Sequence, residues 1–275
     1  MLNLQTPFLF SIITVCYNSE KTIEKTIKSV NEQIDYSNLC EHIFIDGLST
    51  DNTVNIIKRM AKENCVLVSE KDDGIYDAMN KGIKIAKGKW LCFMNSDDSF
   101  ASNDILVSIK QIFEQQTDVE FIYGKENIVR NDDSVSGIKQ MEITEDKYWY
   151  PTICHQAAFF RKDLFIRYGL YELNRGAVAD FIWFVKYFNS PHGKSLFIDK
   201  IIVNYSTGGV SSDAWHCNKM KLEFAKDFFP LKIQLRYYIK FLRAYIAFKI
   251  LRFDKDTFIR RIYRYFKRRL LNEGR

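Results

Sequence analysis

The sequence predicts an α/β protein built on a mostly parallel sheet with helices on both faces. Within the first hundred residues, short apolar runs alternate with segments whose apolar residues recur at helical spacing, and the connections are short. Such runs are typical of strands buried on both faces, and strands joined through helices pair in parallel. Ligands of these sheets bind outside the carboxyl ends of the strands, so polar residues there are the candidates for a site.

The apolar runs predict four strands in this half, at 8–15, 42–45, 65–69 and 90–94. After each of the first three, apolar residues at helical spacing predict a helix. These residues are Ile23, Ile27, Val30 and Ile34, then Val54, Ile57 and Met60, then Ile75, Ala78, Met79, Gly82, Ile83 and Ala86. We expect further elements as a helix near 102–115, a strand near 119–123 and a helix over about 180–189, whereas 124–178 shows no clear period.

Charge is unevenly distributed along the chain. The 275 residues carry a net charge of +6, but residues 231–275 hold 14 Lys and Arg against three Asp and Glu, which leaves the remainder at −5. Apolar residues make up 47% of the chain, enough for a sizeable core, and the length suits one large domain with an appendage. The acidic body and the basic tail therefore need separate explanations.

The cysteines and the hydropathy limit the class of protein further. Six cysteines, at 16, 40, 65, 92, 154 and 217, form no C-x-x-C pair, so we expect buried reduced thiols rather than a zinc site. The apolar run near the N-terminus has no basic region before it and is interpreted as the first strand, not as a signal peptide. No uncharged apolar stretch has the length of a transmembrane helix.

The sequence Asn95-Ser96-Asp97-Asp98 directly follows the fourth predicted strand and is the strongest candidate for chemistry. Adjacent carboxylates there are costly unless a cation is bound, and Mg²⁺ commonly takes one or two carboxylates together with substrate phosphates. An acidic N-cap for a helix that begins near Ser102 explains the same residues equally well.

Polar residues near the other strand ends can likewise be interpreted either as ligand-binding or as structural. Tyr17 ends the first strand and is placed to stack on a base, although packing is the commoner use of such a tyrosine. Asp46 ends the second strand, where a turn aspartate is the simpler explanation. Asp73, beside Asp72, precedes the third helix, whose N-terminus favours negative charge in any case.

Later in the chain, Asp180 begins a hydrophobic helix. A carboxylate beside an apolar wall can act as a general base on a hydroxyl, but at this position it can equally cap the helix. His155 and Gln156 follow Pro151 and are candidates to line a pocket, although a single histidine is usually structural.

Taken together, these residues resemble the inverting nucleotide-sugar transferases of glycosyltransferase family 2, which have the GT-A fold. The resemblance runs from Phe10 to about Ser211 and rests on the order and spacing of the motifs SIITVCYN, FIDGLSTDNT, DGIYDAMNKGIKIAKGKWLCFMNSDD, CHQAAFFRKDLF, Ala179-Asp180 and GGVS. DGIYDAMNKGI followed by NSDD looks most like bacterial enzymes of exopolysaccharide, O-antigen and colanic-acid biosynthesis. We accordingly place a GT-A catalytic domain at 1–212, its nucleotide-binding half at about 8–100 and its acceptor-side half at about 101–212.

The resemblance implies a role for each candidate. Asp180 matches the general base, and Asp97 and Asp98 match the acidic motif that binds the donor and a divalent metal, Mn²⁺ or Mg²⁺. The implied donor-binding residues are Tyr17, Asp46, Asp73, Asp97 and Asp98, and the implied acceptor-side residues are His155 and Gln156. The chain departs from the family where it has Gly47, Asn95 and Ala179 in place of acids.

The implied reaction is a single displacement that moves a hexose from a nucleotide-diphosphate sugar to a glycan or lipid-linked acceptor, with inversion. A catalytically silent relative, acting as a membrane-associated partner in a glycan-assembly complex, is the alternative that Asn95 and Ala179 support. A nucleotidyltransferase is disfavoured because CYNSEKT, and not a glycine- and Lys/Arg-rich phosphate loop, follows the first strand.

The tail, at 213–275, is predicted to form basic amphipathic helices. Its first basic face holds Lys232, Arg236, Lys240 and Arg243, its apolar face holds Leu235, Tyr238, Leu242, Tyr245 and Ile246, and the pattern repeats over 259–270. Such helices suit an anionic membrane surface, so we expect a cytoplasmic protein, peripheral on the inner face of the cell membrane, with no nucleic-acid partner. A helical cap packed on the catalytic domain is the alternative.

Overall fold

Strands and helices alternate through the first hundred residues, as the sequence predicts. The structure, a computed structural model, describes residues 8–130, 134–139, 142–191, 193–207 and 214–253. The strands are β1 (Phe10–Cys16), β2 (Cys40–Asp46), β3 (Cys65–Ser69), β4 (Trp90–Phe93), β5 (Ser99–Phe100), β6 (Val119–Val129), β7 (Val135–Lys139), β8 (Ala158–Arg161) and β9 (Lys194–Ser206). The α-helices are α1 (Ile23–Asn31), α2 (Tyr36–Leu39), α3 (Thr53–Met60), α4 (Ile75–Ile85), α5 (Ile105–Gln115), α6 (Leu164–Arg167), α7 (Ala179–Phe188), α8 (Ala214–Phe228) and α9 (Leu231–Phe253).

The strands form one mixed sheet in the order β3-β2-β1-β4-β8-β6-β9-β5, and β7 pairs with β6. The strands β3, β2, β1 and β4 are parallel, which confirms the βαβ pattern of the first half. Antiparallel pairing begins with β8, which lies between β4 and β6. The α/β class with helices on both faces is therefore confirmed, and the antiparallel strands β7 and β8 belong to the region without a readable period.

Apolar side chains pack on both faces of the sheet. On one face, Ile13 and Phe93 belong to a core with α4 and α7; on the other, Ile12 and Cys92 belong to a core with α5. A third cluster packs α1 and α3 against Phe44. Alternate residues of a strand face opposite sides, so one continuous apolar run contributes to two cores.

The predicted helix near 102–115 begins later than expected. The two-residue strand β5 follows the acidic sequence and pairs with β9, and α5 starts only at Ile105, with Asp104 as its N-cap. The acidic N-cap interpretation of Asp97 and Asp98 is therefore wrong, since six residues separate Asp98 from the helix.

The loops after β1 and β2 are fixed to each other. Asn18 and Leu48 both have left-handed backbone, with φ of 48° and 67°. The Thr50 amide donates to the side-chain oxygen of Asn18 at 2.9 Å, and the Asn18 amide donates to the hydroxyl of Ser49 at 2.8 Å. These bonds hold the turns in a sharply bent form that the flanking strands alone do not impose.

The chain divides into two compact units, Met1–Gly209 and Val210–Arg275. In the second unit, α8 packs against α9, and Trp215 lies over Phe248 with ring centroids 5.7 Å apart. Residues 259–270, where the basic pattern repeats, and the GGVS motif lie outside the described residues. No helix in the described part of the chain has the length and hydropathy of a membrane span.

All six cysteines lie in the described part of the chain, and all are free thiols. Four are buried, and Cys65 and Cys154 are half-buried. Burial raises the pKa of the Cys16 thiol well above its ordinary value, so this side chain stays protonated at neutral pH.

Candidate active site

Three polar loops lie at one edge of the sheet because β1, β2 and β4 are parallel neighbours. The hydroxyls of Ser19, after β1, and Ser96, after β4, are 2.8 Å apart. Thr26 of α1 donates to the backbone oxygen of Asp98 at 2.7 Å. The loop that carries the acidic sequence is thereby attached to the β1 loop and to α1.

The carboxylate of Asp46 is buried and accepts hydrogen bonds at both oxygens. Its Oδ2 accepts from the Ser69 hydroxyl at 2.6 Å and from the Ser49 amide at 3.0 Å, and its Oδ1 accepts from the Ser49 hydroxyl. Asp46 therefore fixes the turn after β2, as the simpler interpretation proposes. Tyr17 differs, because 63% of its surface is exposed and its ring lies beside Gly47.

Of the two adjacent aspartates before α4, it is Asp72 that faces this edge. A Cβ added at Gly47 would lie 2.6 Å from Oδ2 of Asp72, so the absence of a side chain at Gly47 leaves room for this carboxylate. Asp73 is exposed, and its amide donates to Asp77 at 3.1 Å. The order of the residues could not reveal which carboxylate faces the loop, because this depends on the backbone between β3 and α4.

Asp98 is 1% exposed and is held by two other segments of the chain. The Ser206 amide donates to its Oδ1 at 2.8 Å, and the Gln156 side-chain amide donates to its Oδ2 at 3.0 Å. Burial, followed by the charge of Asp97, raises the pKa of Asp98 well above its usual value. A bound cation would reverse this effect, because it favours the ionised form.

Asp97 is half-buried, and burial raises the pKa of its carboxyl group. No side chain in the described ranges donates a hydrogen bond to its carboxylate, and the buried side-chain oxygen of Asn95 also has no partner there. Carboxylate and amide oxygens are the ligands that Mg²⁺ takes, with phosphates completing the shell. These residues fit a divalent metal held together with a diphosphate, although no group of three or more His, Cys, Asp and Glu side chains is arranged for a metal in the described part of the chain.

Asp180 is the second residue of α7, not its N-cap, and it accepts three hydrogen bonds. Tyr76 donates to its Oδ1 at 2.8 Å, the Phe181 amide donates to the same oxygen at 2.7 Å, and Nδ1 of His155 lies 2.9 Å from its Oδ2. Burial alone would raise the pKa of Asp180, but the hydrogen bonds of His155 and Tyr76 hold it below its usual value. The carboxylate is therefore ionised at neutral pH.

His155 and Gln156 begin the short 3₁₀ turn His155–Ala157, which leads into β8. Both are buried, His155 against Asp180 and Gln156 against Asp98. The structure thus brings together four of the candidates, Asp98, His155, Gln156 and Asp180. Tyr17, Asp97 and, at the end of β2, Asp46 lie at the same edge of the sheet, and Asp73 has no hydrogen bond to any of these residues in the described ranges.

Two residues of this site, Tyr76 and Ser206, were missed from the sequence, and Asp72 was named there only as the neighbour of the candidate Asp73. Tyr76 lies in the DGIYDAMNKGI motif, where its neighbours Ile75, Ala78 and Met79 form the apolar stripe of α4. The helical spacing of α4 places Tyr76 on its buried side, and a buried tyrosine hydroxyl needs a hydrogen-bond partner. This feature of the sequence could have identified Tyr76 as a site residue. For Ser206 the sequence offers no comparable signal.

Known proteins share both the sequence pattern and the fold. A glycosyltransferase of PGL/p-HBAD biosynthesis from Mycobacterium bovis is 29% identical over 210 residues, which cover 74% of this chain and 79% of that protein. The Escherichia coli UDP-Glc:alpha-D-GlcNAc-diphosphoundecaprenol beta-1,3-glucosyltransferase WfgD is 31% identical over 142 residues, 51% of this chain and 54% of WfgD.

Solved structures add evidence for the fold alone. Staphylococcus aureus TarS (residues 1–349) in complex with UDP-GlcNAc superposes with a TM-score of 0.62 at 18% identity and covers 87% of this chain and 73% of that one. The mannosyltransferase PcManGT from Pyrobaculum calidifontis, in complex with GDP-Man and Mn²⁺, superposes with a TM-score of 0.61 at 17% identity. The superposition covers 95% of this chain and 80% of that one. The sheet is that of the expected GT-A fold.

The strongest assignment comes from the family profile of glycosyl transferase family 2, which matches residues 11–169. This segment is more than half of the chain and includes β1 to β4, their loops and the acidic sequence. The chain therefore belongs to glycosyl transferase family 2 and is a glycosyltransferase.

Proposed function

We propose that this protein is an inverting hexosyltransferase that uses a nucleotide-diphosphate sugar and acts in bacterial surface polysaccharide biosynthesis. The observation that carries the proposal is the ionised, partly exposed carboxylate of Asp180 at the sheet edge that also bears Asp97 and Asp98. A displacement at an anomeric carbon needs two parts. One is a base that takes the proton of the acceptor hydroxyl, and the other is a set of acidic ligands for the metal that binds the donor diphosphate.

In the proposed reaction the acceptor hydroxyl attacks the anomeric carbon from the face opposite the diphosphate. A bond forms between the acceptor oxygen and this carbon, the bond to the diphosphate oxygen breaks, and the nucleoside diphosphate leaves with the electron pair. Asp180 takes the hydroxyl proton. Its low pKa keeps it ionised, and the hydroxyl becomes acidic as its oxygen bonds to carbon, so the proton transfers late.

The donor is proposed to lie across the loops after β1, β2 and β4. The exposed ring of Tyr17 offers a surface on which a base can stack, and Asp46 holds the turn beside it. Asp73 remains a predicted donor-binding residue, and Asp72, which faces Gly47, is added to this group. Similarity to TarS and PcManGT, whose structures hold UDP-GlcNAc and GDP-Man, supports a nucleotide-sugar donor without selecting the base.

Asp97, with Asp98 and the side-chain oxygen of Asn95, is proposed to hold Mn²⁺ or Mg²⁺. When bound, the metal would offset the charge that develops on the departing diphosphate. The PcManGT structure, which contains Mn²⁺, supports this assignment.

A lipid-linked acceptor at a membrane surface is proposed from the second unit and from WfgD, whose name includes a diphosphoundecaprenol acceptor. The exposed apolar residues of α9 recur at helical spacing and form one stripe: Leu231, Leu235, Tyr238, Ile239, Leu242 and Ile246. Exposed Lys232, Arg236 and Arg243 fall along one side of this stripe, and Tyr237 on the far side of the helix is buried.

An apolar stripe with a basic border is suited to lie in the interface of an anionic bilayer, with the helix in the membrane plane. We therefore propose that the protein is peripheral on the inner face of the cell membrane. Tyr245, predicted on the apolar face, is half-buried and lies 6.2 Å from the Trp215 ring, so it belongs to the packing of α8 on α9.

The experiment for the transferase proposal measures release of nucleoside diphosphate from UDP-, GDP- and dTDP-sugars with Mn²⁺ or Mg²⁺ and then EDTA, with membrane lipid extract as acceptor. Metal-dependent release from one donor, with a product of inverted anomeric configuration by NMR, is the expected result. A product of retained configuration overturns the single displacement. Binding of no donor by calorimetry and no release would favour the silent-partner alternative.

A further inference from the structure

We propose that Cys154, His155 and Gln156 form a positioning clamp that orients the two acidic parts of the site, Asp180 and Asp98, relative to each other. The inference rests on the proposed function, since it explains how the base and the donor side keep a fixed separation. The clamp is defined by two adjacent residues that bond to carboxylates from different segments of the chain, 82 residues apart in the sequence.

His155 fixes Asp180 through the proton on its Nδ1. An ionised carboxylate can only accept, so the proton of the 2.9 Å contact is on Nδ1 of His155. The other ring nitrogen, Nε2, is buried without a partner among the described residues. His155 is therefore a donor that orients Oδ2 of Asp180.

The bonds on Asp180 leave one place for the acceptor. Its Oδ1 accepts from both Tyr76 and the Phe181 amide, and its Oδ2 accepts from His155 alone. A carboxylate has about four lone-pair directions, so the one that is left lies on Oδ2. Tyr76 and the Phe181 amide thus leave Oδ2 as the oxygen to which the acceptor hydroxyl would transfer its proton, and His155 of the clamp orients that oxygen.

Gln156 fixes Asp98 in the same manner. Asp98 receives its hydrogen bond from Nε2 of Gln156, so Oε1 of the same amide faces the other way, where the Cys154 thiol donates to it at 3.1 Å. Burial raises the pKa of Cys154 well above its ordinary value, which keeps this thiol a donor. The amide of Gln156 has one favourable orientation, and it presents its donor group to Asp98.

The segment is attached to the strand that carries the acidic loop. It leads directly into β8, and β8 pairs antiparallel with β4, so the start of β8 lies beside the end of β4. The Ala157 amide donates to the Cys154 carbonyl at 3.0 Å and closes the turn. A site attached to neighbouring strands holds its geometry better than one on a free loop.

The test compares His155→Ala, His155→Asn and Gln156→Ala in the full chain. Asn keeps a donor near the position of Nδ1, so His155→Asn should recover turnover to within about tenfold of wild type, whereas His155→Ala should lose roughly 10- to 100-fold in kcat with donor KM nearly unchanged. Gln156→Ala should instead weaken binding of Mn²⁺ with nucleoside diphosphate by roughly tenfold in calorimetry.

A second readout needs no turnover. The groups that face Asp180 are His155, Tyr76 and Tyr171, and loss of the His155 donor should raise the pKa of the Asp180 carboxyl in a carbon-13 NMR titration. Gln156→Ala should leave that titration in place. His42→Asn is the matched control, because His42 is a buried histidine bonded to Thr14 away from the site, and it should change only the melting temperature.

The outcomes are separable from those of the transferase proposal. A wild type that binds nucleotide but releases none from any donor, in which His155→Ala still moves the Asp180 titration and Gln156→Ala still weakens nucleotide binding, supports the clamp and counts against the proposed donor and acceptor. An active wild type whose turnover and titration are unaffected by His155→Ala overturns the clamp alone. Equal losses in His155→Asn and His155→Ala, or no loss of affinity in Gln156→Ala, also overturn it.

Discussion

The hydroxyl of Tyr76 donates a 2.8 Å hydrogen bond to Oδ1 of Asp180, although 104 residues separate the two in the sequence. Tyr76 belongs to α4, which packs under the parallel strands, and Asp180 belongs to α7. The two helices are also joined through the loop before α7, where Asn80 donates to the Tyr171 carbonyl at 2.9 Å and accepts from its amide at 3.0 Å. The proposed base is thus supported by the nucleotide-binding half.

Replacement of Tyr76 by phenylalanine should lower kcat by roughly tenfold, because the ionised form of Asp180 loses a charge-assisted hydrogen bond. The pKa of Asp180 should rise toward its ordinary value. The base must be ionised, so the acid limb of kcat/KM should move to higher pH, which a profile from about pH 4 to 9 would detect. An acid limb that stays in place would mean that Tyr76 only packs.

Asp180→Asn should lower kcat by roughly 10²–10⁴ if the carboxylate acts as the general base. Asparagine preserves the size of the side chain, so donor binding by calorimetry should be largely kept. Asp118→Asn is a suitable control, because its carboxylate is 68% exposed and lies in another part of the chain. Unchanged turnover in Asp180→Asn would remove the assigned role.

Asp97→Asn should change stability in opposite directions with and without metal. The melting temperature of the free protein should rise by about 2 °C, because Asp97 and Asp98 repel each other when both are ionised. The increase in melting temperature that Mn²⁺ with UDP or GDP produces in wild type should be mostly lost in the variant. A full increase in the variant would exclude Asp97 as a metal ligand.

The triple variant Lys232→Gln, Arg236→Gln and Arg243→Gln should bind anionic vesicles roughly 100-fold more weakly, since each basic residue near such a surface contributes about 1 kcal/mol. Flotation with phosphatidylcholine vesicles, with and without phosphatidylglycerol, measures the binding of each variant to anionic and neutral membranes. The control removes the same charge from exposed residues of the first unit, with Lys58→Gln, Arg59→Gln and Lys84→Gln. Equal losses in both triples would show that only net charge matters and that α9 is not the binding face.

Gly88→Ala should destabilise the protein by about 2–3 kcal/mol in urea unfolding. A Cβ at this position would lie 2.5 Å from the backbone of Phe10 and Ser11 in the central strand β1, which cannot move without disturbing its neighbours. Gly137→Ala in β7 is the matched control, because nothing lies within 4 Å of its added Cβ. Its effect should stay within about 1 kcal/mol.

Local pattern was enough to predict the parallel half of the fold. The apolar run 8–15 and the helical stripe that includes Met79 and Ile83 are each contained in a single segment, so their period is visible without a partner. The full lengths of β6 and β9, which pair in parallel with each other, were not foreseen. Most of β9 is half-buried, the second half of β6 mixes buried and half-buried residues, and neither strand is one continuous apolar run.

The sequence by itself determined which residues stand at the strand ends, since order along the chain and the direction of parallel strands place Tyr17, Asp46 and Asp97 at one edge. Only the tertiary structure decided which of these groups meet. The bonds from Gln156 to Asp98 and from Tyr76 to Asp180 require β8 beside β4, with α4 and α7 on the same face of the sheet. Such contacts arise from the packing of distant segments, and no period within one segment encodes them.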